Sequence, residues 1–260
     1  MHVAITGASA GIGEAIVREF SRQGADITLV ARSEDKMRAI ADELETDTFI
    51  AVRDLADPKT CCDWIEAAID ALGDIDVLVN NAGIQIISAT DETDVEQGEK
   101  LLRLNVFTPM RLTRRLLPEM LQRGSGTIVD IASMASIAPT PGMYYYNASK
   151  GGLAAASEAL RGELRGTGVH ALTVYPGIIM TAMGEAGYDC YEESTLLRWQ
   201  PVGNAEKLAS LIYGAVEKKR PRVIYPRFNA LARWFPTITR WFMDRFTPPL
   251  KSLDEATEEE

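Results

Sequence analysis

The sequence predicts a doubly wound α/β fold, a parallel sheet between two layers of helices, built as a single domain over 1–251. Three observations predict it. Short apolar runs alternate with longer amphipathic stretches, the runs lack clean polar/apolar alternation, and neither a Pro/Gly/Ser-rich linker nor an internal repeat divides the 260 residues. Strands buried on both faces read as continuous apolar runs, and a strand–helix–strand rhythm with right-handed crossovers gives the doubly wound topology.

The first strand, 2–6, runs into Thr6-Gly7-Ala8-Ser9-Ala10-Gly11-Ile12-Gly13, and an amphipathic helix follows over 13–22. Gly7 permits a tight exit from the strand, Gly11 a close approach of backbone to a pyrophosphate, and Gly13 close packing of helix on sheet. The helix amino terminus adds free N–H groups and a positive dipole end, with Ser9 as a further phosphate donor. A glycine-rich turn alone is weak evidence. In a strand–loop–helix context it points to a dinucleotide. The second strand, 26–31, ends at Ala31-Arg32-Ser33. Folds that bind NAD commonly place an acid here for the ribose 2′-hydroxyl, whereas an arginine suits a 2′-phosphate, so NADP(H) is expected in preference to NAD(H).

A helix over 33–43 leads to a strand at 48–53 and to Asp54-Leu55; a helix over 58–72 leads to a strand at 77–80 and to Asn80-Asn81-Ala82-Gly83. One amphipathic stretch over 98–121 contains Asn105, and a strand at 127–132 ends at Ser133. Ligands of parallel sheets lie beyond the carboxyl ends of strands, which places the Ser133 hydroxyl where it meets a substrate oxygen. Tyr146 and Lys150 stand four apart on the helical stretch that includes 147–164, so they share a face, while Tyr144 and Tyr145 point elsewhere. A nearby ammonium stabilises a phenolate, which makes the pair an acid/base device. Strands at 170–175 and 223–225 complete the series, the former leading into Pro176-Gly177-Ile178-Ile179-Met180-Thr181. Taken singly, Ser133, Asn105, Asp54 and Thr181 have ordinary readings as strand-end, turn or cap residues.

In this order, from Val3 to Tyr225, these motifs resemble the short-chain dehydrogenase/reductase family in its compact Rossmann-fold form. The resemblance implies an oxidoreductase that moves a hydride between a nicotinamide and a carbonyl or alcohol, with Asn105, Ser133, Tyr146 and Lys150 catalytic. Tyr146 would exchange the proton with the substrate oxygen. Lys150 would bind the nicotinamide ribose and lower the Tyr146 pKa, Ser133 would orient the carbonyl, and Asn105 would hold a relay water. Asp54 and Leu55 would meet the adenine, and Asn80, Asn81, Ala82 and Gly83 would support the cofactor. Gly7, Gly11, Ile12 and Gly13 would cradle its phosphates. Pro176, Gly177, Ile179 and Thr181 would approach the nicotinamide. Many NADP-using relatives carry a basic residue inside the glycine loop, where this chain has Ala10, so Arg32 becomes the main 2′-phosphate contact. Relatives that keep the fold as silent NADP(H)-binding regulators usually lose the tyrosine or lysine, and both remain here. Epimerases and dehydratases of the larger sister group differ in glycine spacing.

Composition narrows the field further. With 46% apolar and 25% charged residues, no apolar run near the roughly 18 residues of a spanning helix and no signal-peptide pattern, a cytoplasmic protein is expected. The three cysteines, Cys61, Cys62 and Cys190, suit neither a disulfide framework nor a zinc site, and a net charge of −10 argues against nucleic acid. The charge is uneven. Residues 218–251 hold nine Lys/Arg against the single acid Asp244, a net +8 that leaves −18 on the remainder.

Substrate choice is expected in a lid over 182–203. Met180, just before it, and Met183, Tyr188, Tyr191, Leu196, Leu197 and Trp199 within it either line an apolar pocket or pack the lid down. Phe228, Leu231, Phe235, Ile238 and Phe242 form an apolar helical stripe, with Trp234 and Trp241 beside it and Pro236 breaking the helix. The stripe over 228–246 either packs on the chain's own core or a partner subunit, as in a homodimer or homotetramer, or lies peripherally on a membrane. The acidic tail, 252–260, is expected to be disordered.

Overall fold

A computed structural model describes residues 1–192 and 201–250. The expectations for Leu196, Leu197, Trp199 and the tail 252–260 lie outside these residues, as does the side chain of Tyr188. The elements begin β1 (His2–Thr6), α1 (Gly11–Arg22), β2 (Asp26–Ala31), α2 (Glu34–Ala41), β3 (Thr48–Val52), α3 (Ile65–Leu72), β4 (Val77–Asn80), α4 (Val95–Leu102) and α5 (Thr108–Arg123). They continue with β5 (Gly126–Ile131), α6 (Tyr144–Glu163), β6 (Val169–Pro176), β7 (Ile178–Ile179), α7 (Ala182–Asp189), β8 (Val202–Gly203), α8 (Ala205–Glu217), β9 (Arg222–Tyr225), α9 (Ala230–Trp234) and α10 (Pro236–Phe246). Seven strands form one parallel sheet in the order β3-β2-β1-β4-β5-β6-β9. The order reverses at β1, whose neighbours are β2 and β4, and a crevice opens there at the carboxyl ends of the strands.

Alternate residues of each strand face opposite layers. Val3, Ile5, Ile27, Leu29, Val79 and Val129 pack with Ile16, Phe20, Leu208 and Ile212 of α1 and α8. Ala4, Val30, Leu78 and Ile128 pack with Trp64, Ile65, Leu112 and Leu116 on the other face. This two-sided burial is the physical reason for unbroken apolar strands.

Two expected helices differ from the structure. The stretch beginning at Pro58 turns until Ile65 before α3 starts: Asp57 accepts from Lys59 N (2.9 Å) and Thr60 Oγ1 (3.0 Å), holding the chain in a local turn instead of a helix. The stretch over 98–121 is divided by a π-helical turn at Arg103–Phe107, so α4 and α5 are separate and Asn105 sits inside the bulge. Hydrophobic spacing does not register one extra residue in a turn, so a π-bulge leaves the amphipathic pattern nearly intact.

Two side chains fix the approach of elements to the site. The Tyr145 ring fills the notch over Gly98, where an added Cβ would stand 2.4 Å from the ring, and thereby sets α6 against α4. At the other edge, Glu158 of α6 accepts from Tyr175 Oη (2.7 Å) and pairs with Arg222 (2.5 Å) and with Arg233 of α9 (3.1 Å). The Arg233 guanidinium also lies 5.7 Å from the centre of the Tyr175 ring. Despite the cost of burial, hydrogen bonds from Arg222, Tyr175 and Arg233 hold the Glu158 carboxyl down at about 2. A depressed carboxylate contributes stability above its ordinary pKa and loses it as pH falls towards the folded value. Lowering pH from about 5 to about 2 is therefore expected to loosen α9, measured as faster amide exchange over 230–246, and Glu158→Gln should give that loosening already at neutral pH.

Candidate active site

A cavity of about 1300 Å3 runs along the carboxyl ends of the strands, from the loop after β1 to the turn after β6. That is more than the roughly 300–1000 Å3 of a pocket for one small ligand, and it has room for a dinucleotide with a substrate beside it. Its wall includes Gly7, Ser9, Gly11, Ile12 and Gly13 at one end, then Arg32, Asp54 and Leu55, then Asn81, Ala82 and Gly83. Ser133, Tyr146 and Lys150 follow, and Pro176, Gly177, Ile179 and Thr181 close the series.

The glycine loop is shaped by what it excludes. A Cβ on Gly13 would lie 2.0 Å from the Gly7 carbonyl oxygen, so the loop and α1 approach as they do only without a side chain there. Gly7 (φ +67°) is in the left-handed region. Ala10 at the N-cap of α1 offers no side-chain cap, which leaves the helix's first N–H groups for an anion. Across the cavity, Thr181 Cγ2 would be 3.2 Å from a Cβ on Gly11, so the loop after β1 and the turn after β6 face each other. Thr6 ties β1 to β4: its hydroxyl donates to the Val79 carbonyl (3.1 Å) and accepts from the N–H groups of Asn81 (2.9 Å) and Ala82 (3.0 Å). The Asn81 amide donates to the carbonyls of Thr6 (2.9 Å) and Gly7 (3.2 Å). These observations fit a dinucleotide: an uncapped helix terminus and a glycine surface for the phosphates, and a braced floor beneath them.

Arg32 is exposed at the cavity rim, and Arg53 stands near it with its guanidinium on the Val52 carbonyl (2.7 Å). Asp54 accepts from Ala56 N (3.0 Å), and the Leu55 carbonyl accepts from Thr108 Oγ1 (2.5 Å), which fixes the turn after β3.

Asn80 and Asn105 are not on the cavity wall. Asn80 lies buried beneath it, donating to Asp130 Oδ1 (2.8 Å). Asn105 is fully buried, where its Oδ1 accepts from Ile84 N (3.0 Å) and its Nδ2 donates to the Ile84 carbonyl (2.9 Å) and Ser149 Oγ (3.1 Å). Its amide thus holds the chain just after Gly83. A Cβ on Gly83 would stand 3.1 Å from Asn105 Oδ1 and 3.5 Å from Lys150 Nζ, so these groups meet closely at Gly83.

Tyr146 and Lys150 lie one turn apart on α6, with Lys150 Nζ 5.9 Å from the centre of the phenol ring. Ser133 lies two residues beyond β5 and caps the short helical turn Met134–Ser136 by accepting from Ala135 N (3.1 Å). The expected lowering of the Tyr146 pKa by Lys150 is not what this arrangement produces. Burial pushes the phenol up, and a hydrogen bond with Ser133 opposes it. The Lys150 ammonium instead donates to the Ile131 carbonyl (2.8 Å), and burial brings it down to about 8 against an opposing pull from Asp130. Asp130 was not among the expected site residues. It is a buried acid, itself raised by burial, between Val129 and Ile131, and that interruption of the apolar run was the signal that could have found it.

The segment after β9 forms a further wall. Phe228, Leu231, Ile238 and Phe242 line the cavity, as does Met183 from α7. Asn229 packs on Gly177, and Tyr191 bridges to Leu250 while its hydroxyl donates to the Pro141 carbonyl (2.8 Å). The helical stripe is broken where Pro236 predicts: α9 ends at Trp234, and Pro236 opens α10, as a residue without an N–H suits the first turn.

This combination of sheet order, glycine loop and Ser-Tyr-Lys group defines a class. The family model for short chain dehydrogenases matches residues 1–189, and the chain belongs to that family of oxidoreductases. It is 36% identical over 192 residues to an uncharacterized oxidoreductase of Staphylococcus epidermidis, covering 74% of this chain and 83% of the other. A ketoacyl reductase of Nostoc is 31% identical over 225 residues, 85% of this chain and 77% of the other. The closed form of serine dehydrogenase complexed with NADP+ superposes with a TM-score of 0.76 at 26% identity, covering 86% of this chain and 94% of that one.

Proposed function

We propose that this oxidoreductase is an NADP(H)-dependent carbonyl reductase for a lipophilic ketone or aldehyde. The observation that carries the reading is one continuous cavity with Arg32 and the glycine loop at one end and Ser133, Tyr146 and Lys150 at the other. When bound, the reduced nicotinamide supplies the hydride. The residues do the rest. Tyr146, its pKa raised by burial, keeps its proton at neutral pH and gives it to the substrate oxygen. Ser133 orients that oxygen and donates a hydrogen bond to it as negative charge builds. Lys150, cationic below about pH 8, would hold the nicotinamide ribose and keeps a positive charge 5.9 Å from the centre of the phenol ring as Tyr146 gives up its proton. The apolar wall of Met183, Phe228, Leu231 and Phe242 supports a lipophilic substrate, and the reductase name of the Nostoc relative supports the direction.

The cofactor assignment rests on Arg32, with support from the NADP+ complex of the serine dehydrogenase neighbour. The test is kcat/KM for NADPH and NADH with a panel of ketones and aldehydes. The wild type should prefer NADPH, and Arg32→Ala should lose about tenfold or more of that preference, because a charge-assisted guanidinium–phosphate contact is worth about 1.5–3 kcal/mol. An unchanged ratio would remove the assignment, and absence of turnover with every carbonyl would remove the reductase reading.

The pH dependence has a definite sign. Lys150 loses its charge as pH rises through about 8, so kcat/KM for reduction should fall above that value. Lys150→Met should retain a low rate without this fall.

A further inference from the structure

Eight of the exposed large apolar side chains of the described residues are concentrated between Phe228 and Phe246. Phe228 is 69% exposed, Trp234 77%, Ile238 63% and Trp241 62%. None of the residues of α9 or α10 is fully buried, so these helices do not rest on the core as a packed stripe would. They are held instead by the Arg233–Glu158 pair and by side chains that line the cavity. An aromatic surface this large on a folded chain marks something that covers it.

Charge indicates what does. The exposed guanidinium groups of Arg227, Arg240 and Arg245 border the aromatic side chains, within a segment of net +8 on a chain of net −10. A second copy pairing through the same face about a two-fold axis would set these arginines against their own kind. An anionic lipid surface answers both features at once, taking the aromatic rings at the headgroup boundary and the arginines on phosphates. No helix among the described residues is long and apolar enough to cross a membrane.

We propose that residues 228–246 dock the protein on an anionic lipid surface. The same segment carries Phe228, Leu231, Ile238 and Phe242 on the cavity wall, so docking places the site beside the lipid layer. Docking stands without the redox reading. That the substrate arrives dissolved in lipid rests on it.

The experiment is co-sedimentation of the full-length protein with vesicles of phosphatidylcholine and phosphatidylglycerol in equal parts, and with phosphatidylcholine alone. Wild type should bind the mixed vesicles and bind the neutral ones about tenfold less, with Arg240→Glu weakened on the mixed vesicles to a similar degree. The double variant Trp234→Ala/Trp241→Ala should lose binding while keeping its thermal midpoint and its cofactor affinity, since neither tryptophan lines the cavity. Wild type left in the supernatant with both vesicle types overturns the proposal, as does undiminished binding by the double variant. Sedimentation velocity adds a third decisive outcome: a wild-type dimer that dissociates in the double variant, without vesicle binding, assigns the face to a second copy and overturns the lipid contact. These readouts measure partition and not turnover, so a failure here leaves the reductase reading to its own assay.

Discussion

Tyr146→Phe is expected to lower kcat for carbonyl reduction about a thousandfold, while NADPH affinity and the thermal midpoint stay close to wild type. Removing a positioned general acid typically costs about 100- to 10,000-fold. The ring remains, so its packing on α6 and its distance from Lys150 are preserved, and only the donor is lost. No histidine lines the cavity to take over the role. Stopped-flow oxidation of bound NADPH separates chemistry from release and reads the step directly. Retention of more than about a tenth of the wild-type rate would place the proton elsewhere.

Gly13→Ala is expected to weaken NADPH binding about a hundredfold, equivalent to about 2.8 kcal/mol. The added methyl would meet the Gly7 carbonyl at 2.0 Å and the Asn81 amide at 2.6 Å. Neither can withdraw freely, because Asn81 is bonded to Thr6 and Gly7, and Gly7 donates its N–H to the Val30 carbonyl (2.8 Å). Overpacking of this sort also costs about 1–3 kcal/mol of stability, so a lower thermal midpoint should accompany the affinity loss. Titration of NADPH fluorescence checks the first effect and calorimetry the second. Wild-type affinity in this variant would show that the loop is not where the phosphates rest.

The strands were legible because burial on both sides writes itself as continuous apolar residues, and β1, β2 and β4 fall where the runs end. The residues along the cavity were legible for a related reason. Glycines and short polar residues at strand ends interrupt the apolar pattern, and nearly all of those singled out line the cavity. What escaped is what leaves no periodic trace. The π-turn at Arg103–Phe107 hides inside an amphipathic stretch, and the turn before Ile65 depends on Asp57 hydrogen bonds that spacing does not encode. The depth of Asn80 and Asn105 below the cavity, and the direction of the Tyr146 pKa, follow from packing among distant segments, which no local pattern reports. The segment after β9 was read as an apolar stripe with several possible partners, and its place on the cavity wall became visible only through the tertiary structure.

The fit of Tyr145 over Gly98 has a consequence for how this protein tolerates change. Side chains 145 and 146 project from adjacent positions of one helix, so whatever seats the first also sets the azimuth of the second. The orientation of the reacting phenol is thereby delegated in part to a residue that has no side chain of its own. Variation at position 98 would act as a gauge on the reaction, although neither Gly98 nor Tyr145 lines the cavity.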